Sequence, residues 1–293
     1  MASEGDRRSD SEVAARRSRL LDGLRLEGEG ARGVAIALLS TAVFVTVVLV
    51  AITQSAGWPE VRRTFFDWGD ISSSFPGIAD AFVLNVRIFL VCEAFILVFA
   101  LLIAVLRSLP GPVFFPLRAL AVIYADLARG VPTILVIALL GFGAPALQLS
   151  GVPTSRVFWA GVGLILVYSG YVAEVYRAGI ESVHPSQEAA ARSLGLSRFQ
   201  ALRRVILPQA IRRVIPPLLN DFIGLQKDTA LVGTLGVVEA FNQSQIDSNA
   251  TFTYGSYLAA AALFVAITIP LARLTDWLIA RDRQRRQAAG GFA

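Results

Sequence analysis

Residues 81–106 read AFVLNVRIFLVCEAFILVFALLIAVL, and the physical meaning of that stretch decides the fold. A helix needs about 20 predominantly apolar residues to cross the hydrocarbon core of a bilayer. This stretch supplies them with only Arg87 and Glu93 charged, so it reads as a membrane span. The composition of the whole chain agrees: of 293 residues, 55% are hydrophobic and 17% charged, with mean hydropathy +0.60. Soluble domains carry about 25% charged and about 45–50% apolar residues. Both departures describe a chain solvated largely by lipid.

Similar stretches lie on either side. Upstream, 34–52 (VAIALLSTAVFVTVVLVAI) is long enough to span. It is too long for the apolar core of a signal peptide, its polar lead exceeds thirty residues, and no A-x-A site follows, so it reads as an uncleaved first span. Between the two, residues 55–80 mix Trp58, Phe65, Phe66, Trp68 and Phe75 with six charges, the pattern of an interfacial segment rather than a span. Downstream, a third apolar stretch covers 116–147, interrupted by Asp126, Arg129 and Pro132, and a fourth covers 157–178, with Glu174 and Arg177 near its end. The fifth, 216–238, is weakened by Asp221, Lys227 and Asp228, and the sixth covers 254–280. The expected fold class is all-α, a polytopic membrane helix bundle of about six transmembrane helices.

Counting removes several chemistries. A single cysteine, Cys92, permits no intrachain disulfide and no thiolate metal cluster, and a single histidine, His184, permits no multi-histidine metal site. The one lysine, Lys227, is followed by Asp228, so a G-x-x-x-x-G-K-[ST] phosphate loop is absent. Any ATP that drives this protein is bound by another subunit.

The pI of 9.9 and the net charge of +5 raise the question of nucleic acid, and the placement of the arginines answers it. With six spans both termini share one side. That side holds seven arginines in the N-terminal tail, two in 107–118, seven in 177–213 and five in 273–286, against Arg62, Arg63 and Arg156 opposite. By the positive-inside rule both termini and the 179–213 segment are cytoplasmic. The basic charge is topological and needs no nucleic acid.

The cytoplasmic segment 184–217 reads HPSQEAAARSLGLSRFQALRRVILPQAIRRVIPP. Gln187–Leu194 is a run of helix formers, Gly195 is placed to end it in the left-handed conformation, and Ser197 to cap a second helix from Arg198. Pro208, Pro216 and Pro217 limit how far regular helix runs beyond. Three readings compete: a solvated loop packed on its own bundle, a DNA-reading helix-turn-helix, and a docking helix for a cytosolic partner. Clamping by spans at both ends, and a second helix that runs into apolar VILP, disfavour a DNA groove.

The segment resembles the EAA loop of ABC-importer permeases, whose pattern is E-A-A, a glycine shortly after, and I-x-L-P about ten residues beyond. The match is anchored on Gly195 and Val205-Ile206-Leu207-Pro208. YADLARGVPTILVI (124–137), SGYVAEVYRAGIESV (169–183) and LPQAIRRVIPPLLNDFIGLQKDTAL (207–231) are similar to the polar-amino-acid permeases, which serve importers of the histidine, glutamine, glutamate and arginine type. The likeness covers roughly 80–280, leaving the first span and the N-terminal tail outside. One departure stands out: counted back from Gly195, the family's glutamate falls on Ala189, and the glutamate here is Glu188. One residue along a helix turns the carboxylate by about 100°.

The resemblance implies an organisation and a mechanism. Residues 1–32 form a polar cytoplasmic tail, 33–80 an extra span with its interfacial segment, 81–281 the permease domain including the coupling loop 184–208, and 282–293 a basic cytoplasmic tail. The 187–199 helix is then the coupling helix seated on a cytosolic ATPase, whose closure rocks the bundle between inward and outward states. Gln187, Glu188, Ala189, Ala190, Leu207 and Pro208 belong to that loop. Gly195 serves the turn and Ser197 the cap, Leu194, Leu196 and Phe199 give apolar contact, and Arg192 and Arg198 are rim charges. The implied partners are an ABC ATPase dimer carrying ATP and Mg, a second permease subunit (itself or a related chain), an extracytoplasmic solute-binding protein, an amino-acid substrate and membrane lipid, with no nucleic acid. The subunit itself is no enzyme and binds no cofactor, and its home is a bacterial cytoplasmic membrane, multi-pass, N-in and C-in. The alternatives are a permease of the same superfamily for another small solute and a membrane-anchored helix-turn-helix protein.

Ionisable groups at bilayer depth cost about 2.5–3.5 kcal/mol on insertion scales and so carry a functional expectation. Arg87 and Glu93, six residues apart, do not face each other as i,i+4 partners do. Arg87 is placed for interfacial snorkelling, and both are placed for pairing with another helix or for ligand contact. Asn220, Asp221, Gln226, Lys227 and Asp228 lie in a proline-started polar span and suit either a substrate pathway or helix–helix hydrogen bonds. Arg129, Glu174 and Arg177 are structural ion-pair candidates. His184 reads as a loop residue and Cys92 as a small apolar filler.

Overall fold

The computed structural model describes residues 32–290, the side chains of 282–290 excepted. The tail 1–31 and the side chains of the basic C-terminal tail therefore lie outside the described residues. The chain divides into two units, 1–63 and 64–293. The first contains α1, Arg32–Thr53, long and apolar enough to cross a membrane. Its Thr41 and Thr53 hydroxyls donate to the carbonyls of Ala37 and Leu49 at 2.7 and 2.8 Å, which satisfies polar groups inside a lipid-solvated helix.

The helices that follow are α2 (Trp58–Phe65), α3 (Trp68–Ser108), α4 (Phe115–Gly130), α5 (Thr133–Ala146) and α6 (Arg156–Glu181). The loop carries α7 (Pro185–Ser193) and α8 (Arg198–Ala201), then a π turn, Leu202–Ile206, leads into α9 (Leu207–Asp228). A 3₁₀ turn, Thr229–Leu235, precedes α10 (Ala240–Thr251) and α11 (Gly255–Gly290). Among the described residues four helices are long and apolar enough to span, or five if the bent pair α4–α5 counts as one. α9 is 22 residues long but falls outside that set, because its charges and amides dilute it.

The helix bounds sharpen three expectations. The segment 55–80 is mostly helical. Asp67 caps α3 by accepting from the N–H groups of Gly69 and Asp70 at 2.8 and 3.2 Å, so that helix starts 13 residues ahead of Ala81. Ile78, read as interfacial, is fully buried against Phe82, Ala240, Ala259 and Ala260. The third stretch is not one straight helix: α4 and α5 meet at 101°. Pro132 has no N–H and pushes Val131 out of helix, to φ −97°, ψ 131°, which breaks the rod. The fifth stretch starts at Leu207 and ends at Asp228, because Pro208 sits in the first turn of α9, and Pro216 and Pro217 lie inside α9 without ending it. The π turn ahead of Pro208 lets the Leu207 N–H reach the Leu202 carbonyl and makes room for the ring.

α6 is central, packed against α3, α4, α5 and α9, while α3 also meets α10 and α11. Apolar solvation gives no hydrophobic drive between helices in lipid, so close backbone approach does the holding. At Gly170 an added Cβ would stand 2.5 Å from Ala128 Cβ, and at Gly179 it would overlap Val214. Ile96, Ile137, Leu164 and Leu225 fill the main core without any exposure, and Cys92 packs among them.

The bundle is also pinned by one buried polar knot. Glu239 is 0% exposed and accepts from Asn85 Nδ2 at 2.8 Å, from Phe241 N at 3.0 Å and from Asn242 N at 2.9 Å. Asn85 donates also to Thr229 Oγ1 at 3.2 Å and accepts from Ala240 N at 3.1 Å. Thus Asn85 of α3 joins the 3₁₀ turn, through Thr229, to the carboxylate that caps α10. Glu239→Ala strands several buried donors, each worth about 1–3 kcal/mol when left unpaired. We predict a marked fall in the thermal midpoint of the detergent-purified protein, whereas an unchanged midpoint would mean the knot is dispensable.

Candidate functional site

The 184–208 loop is built by local rules. His184 caps α7 through Nδ1, which accepts from Ser186 N at 3.2 Å, and Pro185 occupies the first helical position. At the other end Gly195 has φ +84°, its N–H bonds to Arg192 O at 2.9 Å, and Leu196 N bonds to Ala191 O at 3.2 Å. That pair of bonds is a Schellman closure, and its left-handed residue favours glycine. Ser197 then begins α8 with reciprocal bonds: its Oγ accepts from Gln200 N at 3.3 Å and its N–H donates to Gln200 Oε1 at 2.9 Å. Ala191 and Ala201 are buried where the two short helices pack.

The result is a stiff two-helix knuckle with bulky apolar residues facing outward. Leu194 is 84% exposed and Phe199 69% exposed, although each lies in a polar segment. Leu196 is half-buried, and Gln187, Ala189, Ala190 and Arg192 are exposed. Glu188 lies in the first turn of α7, where its charge complements the helix dipole, and stands 3.7 Å from Arg198 Nε. α7 remains regular through the one-residue shift. Leu207 and Pro208 lie on the exposed start of α9, and Arg213 ties that helix back to the Ser182 carbonyl.

The charges within the helices separate into distinct settings. Glu174 collects arginines: Arg107 Nη1 donates to its Oε2 at 2.7 Å, Arg129 Nη1 lies 3.8 Å away, and Arg177 bonds both Glu174 and Glu181. Arg107 escaped the sequence reading, since it stood in a loop and nothing local marks its partner 67 residues away. Asn85 and Glu239 escaped for the same reason. A single acid directly before the Ala240 helix was the available signal for Glu239, as a helix cap.

Asp221 joins this region. A cavity of about 370 Å³ is lined by Arg129, Tyr171, Glu174, Arg213, Pro217 and Asp221. The Asp221 Oδ2 atom is buried and has no hydrogen-bond partner among the described residues. Groups of both signs therefore face one small space. The other pathway candidates go elsewhere. Gln226 accepts from Thr268 Oγ1 at 3.0 Å and holds α9 to α11, while Asp228 accepts from Tyr168 OH at 2.9 Å and holds α9 to α6. Asn220 and Lys227 are exposed. Arg87 lies on an apolar groove between α3 and α6, and Glu93 is half-buried on α3. Of the pathway set only Asp221 lines the charged cavity, with Glu93 near enough to feel its charge.

Glu174→Gln removes the shared acceptor of three arginines. Breaking such a partly buried cluster costs about 1–3 kcal/mol after allowing for its solvent contact, while the exposed partner Glu181→Gln costs under about 1 kcal/mol. Comparing the two thermal midpoints checks this.

The family of binding-protein-dependent transport system inner membrane components matches residues 28–284. Bacillus subtilis (strain 168) has a probable amino-acid permease protein, YxeN, 36% identical over 211 residues, covering 72% of this chain and 93% of that one. The glutamate transport system permease protein GluC of Corynebacterium glutamicum is 31% identical over 215 residues, covering 70% of this chain and 92% of its own length. Among solved structures, an amino acid ABC transporter with histidines superposes with a TM-score of 0.67 at 28% identity, covering 73% of this chain and 98% of that chain. The family works with ATPase and binding-protein partners. With a match this extensive, this chain belongs to the binding-protein-dependent transport system inner membrane components, and is a multi-pass bacterial inner-membrane permease subunit of an ABC importer, not itself an enzyme.

Proposed function

We propose that this permease imports amino acids, and that ATP hydrolysis reaches it through the 184–208 loop. The observation that carries the coupling role is the outward display of Leu194 and Phe199 on a knuckle fixed by two capping motifs. A pre-organised apolar pair loses little freedom on docking, and bulky side chains seated in a partner's cleft supply most of the binding energy of such contacts. ATP and Mg belong to the partner ATPase, and this subunit binds no cofactor. The assembly is a permease pair, of two copies or of this chain with a related one, together with two ATPase chains and an extracytoplasmic binding protein.

Relatives named as amino-acid and glutamate permeases support the cargo class. So does the Asp221 cavity, since an amino acid carries one charge of each sign and the lining offers both. The arginine asymmetry supports an N-in, C-in orientation with the loop in the cytoplasm. Asp221→Asn is expected to lower uptake while ATPase association stays intact, and normal uptake would remove Asp221 from the pathway.

The coupling role is tested at Gly195. Its positive φ disfavours any side chain, and an aspartate there adds a charge beside Leu194 and Leu196. Gly195→Asp is expected to insert normally, bind the ATPase weakly and transport nothing. The pair Leu194→Ser with Phe199→Ser tests the contact without touching the turn, with ATPase affinity lowered by about tenfold or more. Wild-type ATPase binding and uptake in both variants would overturn the assignment.

A further inference from the structure

A second charged cavity lies apart from the Asp221 chamber. The C-terminal end of α3, the start of α4 and the end of α6 enclose a groove of about 650 Å³ that includes Arg107, Arg118 and Arg177 against one carboxylate, Glu181. Arg177 already engages Glu181 and Glu174, and Arg107 engages Glu174. Arg118 is different. Half-buried, it donates to the neutral carbonyl of Leu109 at 2.8 Å and meets no carboxylate among the described residues. Apart from Ser108 the rest of the lining is apolar, with Ala119 and Ile123, the latter 54% exposed, among it.

An uncompensated guanidinium above an apolar trough, where apolar helices end, has the chemistry of a phospholipid site. The phosphate meets the cation and the chain follows the trough. We propose that this groove holds an anionic phospholipid of the cytoplasmic leaflet, with its phosphate on Arg118 and an acyl chain along Ala119 and Ile123. The leaflet assignment rests on the orientation proposed above. The positive charge of the lining selects this occupant over a second copy of the chain, which would bring its own arginines to a symmetric contact. It also selects an anionic headgroup over a zwitterionic one.

The test uses the full transporter, permease with its ATPase, reconstituted in nanodiscs of mixed phosphatidylcholine and phosphatidylglycerol. Native mass spectrometry after partial delipidation then reads the lipid retained per permease. Wild type is expected to retain phosphatidylglycerol over phosphatidylcholine, and Arg118→Gln to lower that preference about fivefold. Ala119→Phe, which fills the trough and keeps every arginine, is expected to lower it too. Equal retention of the two lipids by wild type, or unaltered preference in both variants, overturns the proposal. Displacement of the lipid by inorganic phosphate alone would reduce the groove to a bare anion site and also overturns it. So does a disulfide between two copies of an Ala119→Cys variant, which would make the groove a permease–permease contact. Loss of the ATPase from the wild-type complex would instead contradict the coupling reading. Labelling of Ser108→Cys by an impermeant thiol reagent from outside intact cells would contradict the orientation, and with it the leaflet.

Discussion

A carboxylate held among membrane helices has to be answered by donors of its own chain, because hydrocarbon supplies none. That constraint organises this molecule. Glu239 is answered in full, by Asn85 and by two backbone N–H groups at the start of α10. Glu174 is answered by arginines from α3 and α6, with a third from α4 close by. The first knot fixes the 3₁₀ turn and α10 against α3, and the second ties three helices at the other end of α6. Asp221 departs from the rule, with one buried oxygen unanswered. A polar atom left waiting in a charged cavity is where a polar solute passing through the bundle would find a partner.

Rigidity is spent differently in the loop. The bundle is held by close approach of small residues and by buried polar bonds, whereas the knuckle is held by backbone caps that need no tertiary partner. Such a unit transmits a push without deforming. α8, the π turn and α9 follow one another from Arg198 to Asp228 without an intervening coil, so Phe199 and Asp221 lie on one continuous helical run. The proposed docking surface and the charged cavity therefore share one helical run.

The legible parts of the sequence were those with local causes. Gly195, Ser197 and the helix formers before them specify turn and caps within a dozen residues, and the structure has them where that logic puts them. The fourth span, 157–178, falls within α6 because no charge interrupts it before Glu174 and Ser155 caps it. The failures involve context. Pro132, Pro208, Pro216 and Pro217 look alike in a sequence, yet one bends the chain by 101°, one opens a helix and two ride inside it. Asn85 and Glu239 are 154 residues apart, and no local pattern joins them. Asp67 starts α3 early by a cap that a hydropathy window does not see.

What covers Leu194 decides the coupling role of the loop. The most direct measurement places a single cysteine there, with Cys92 buried and unreactive, and follows its alkylation by a soluble maleimide in inside-out membrane vesicles with and without the ATPase subunit. Slow alkylation when the ATPase is bound, and fast alkylation when it is stripped, is the predicted result. Equal rates in the two preparations, with the ATPase demonstrably on the membrane, would contradict the coupling role of the loop.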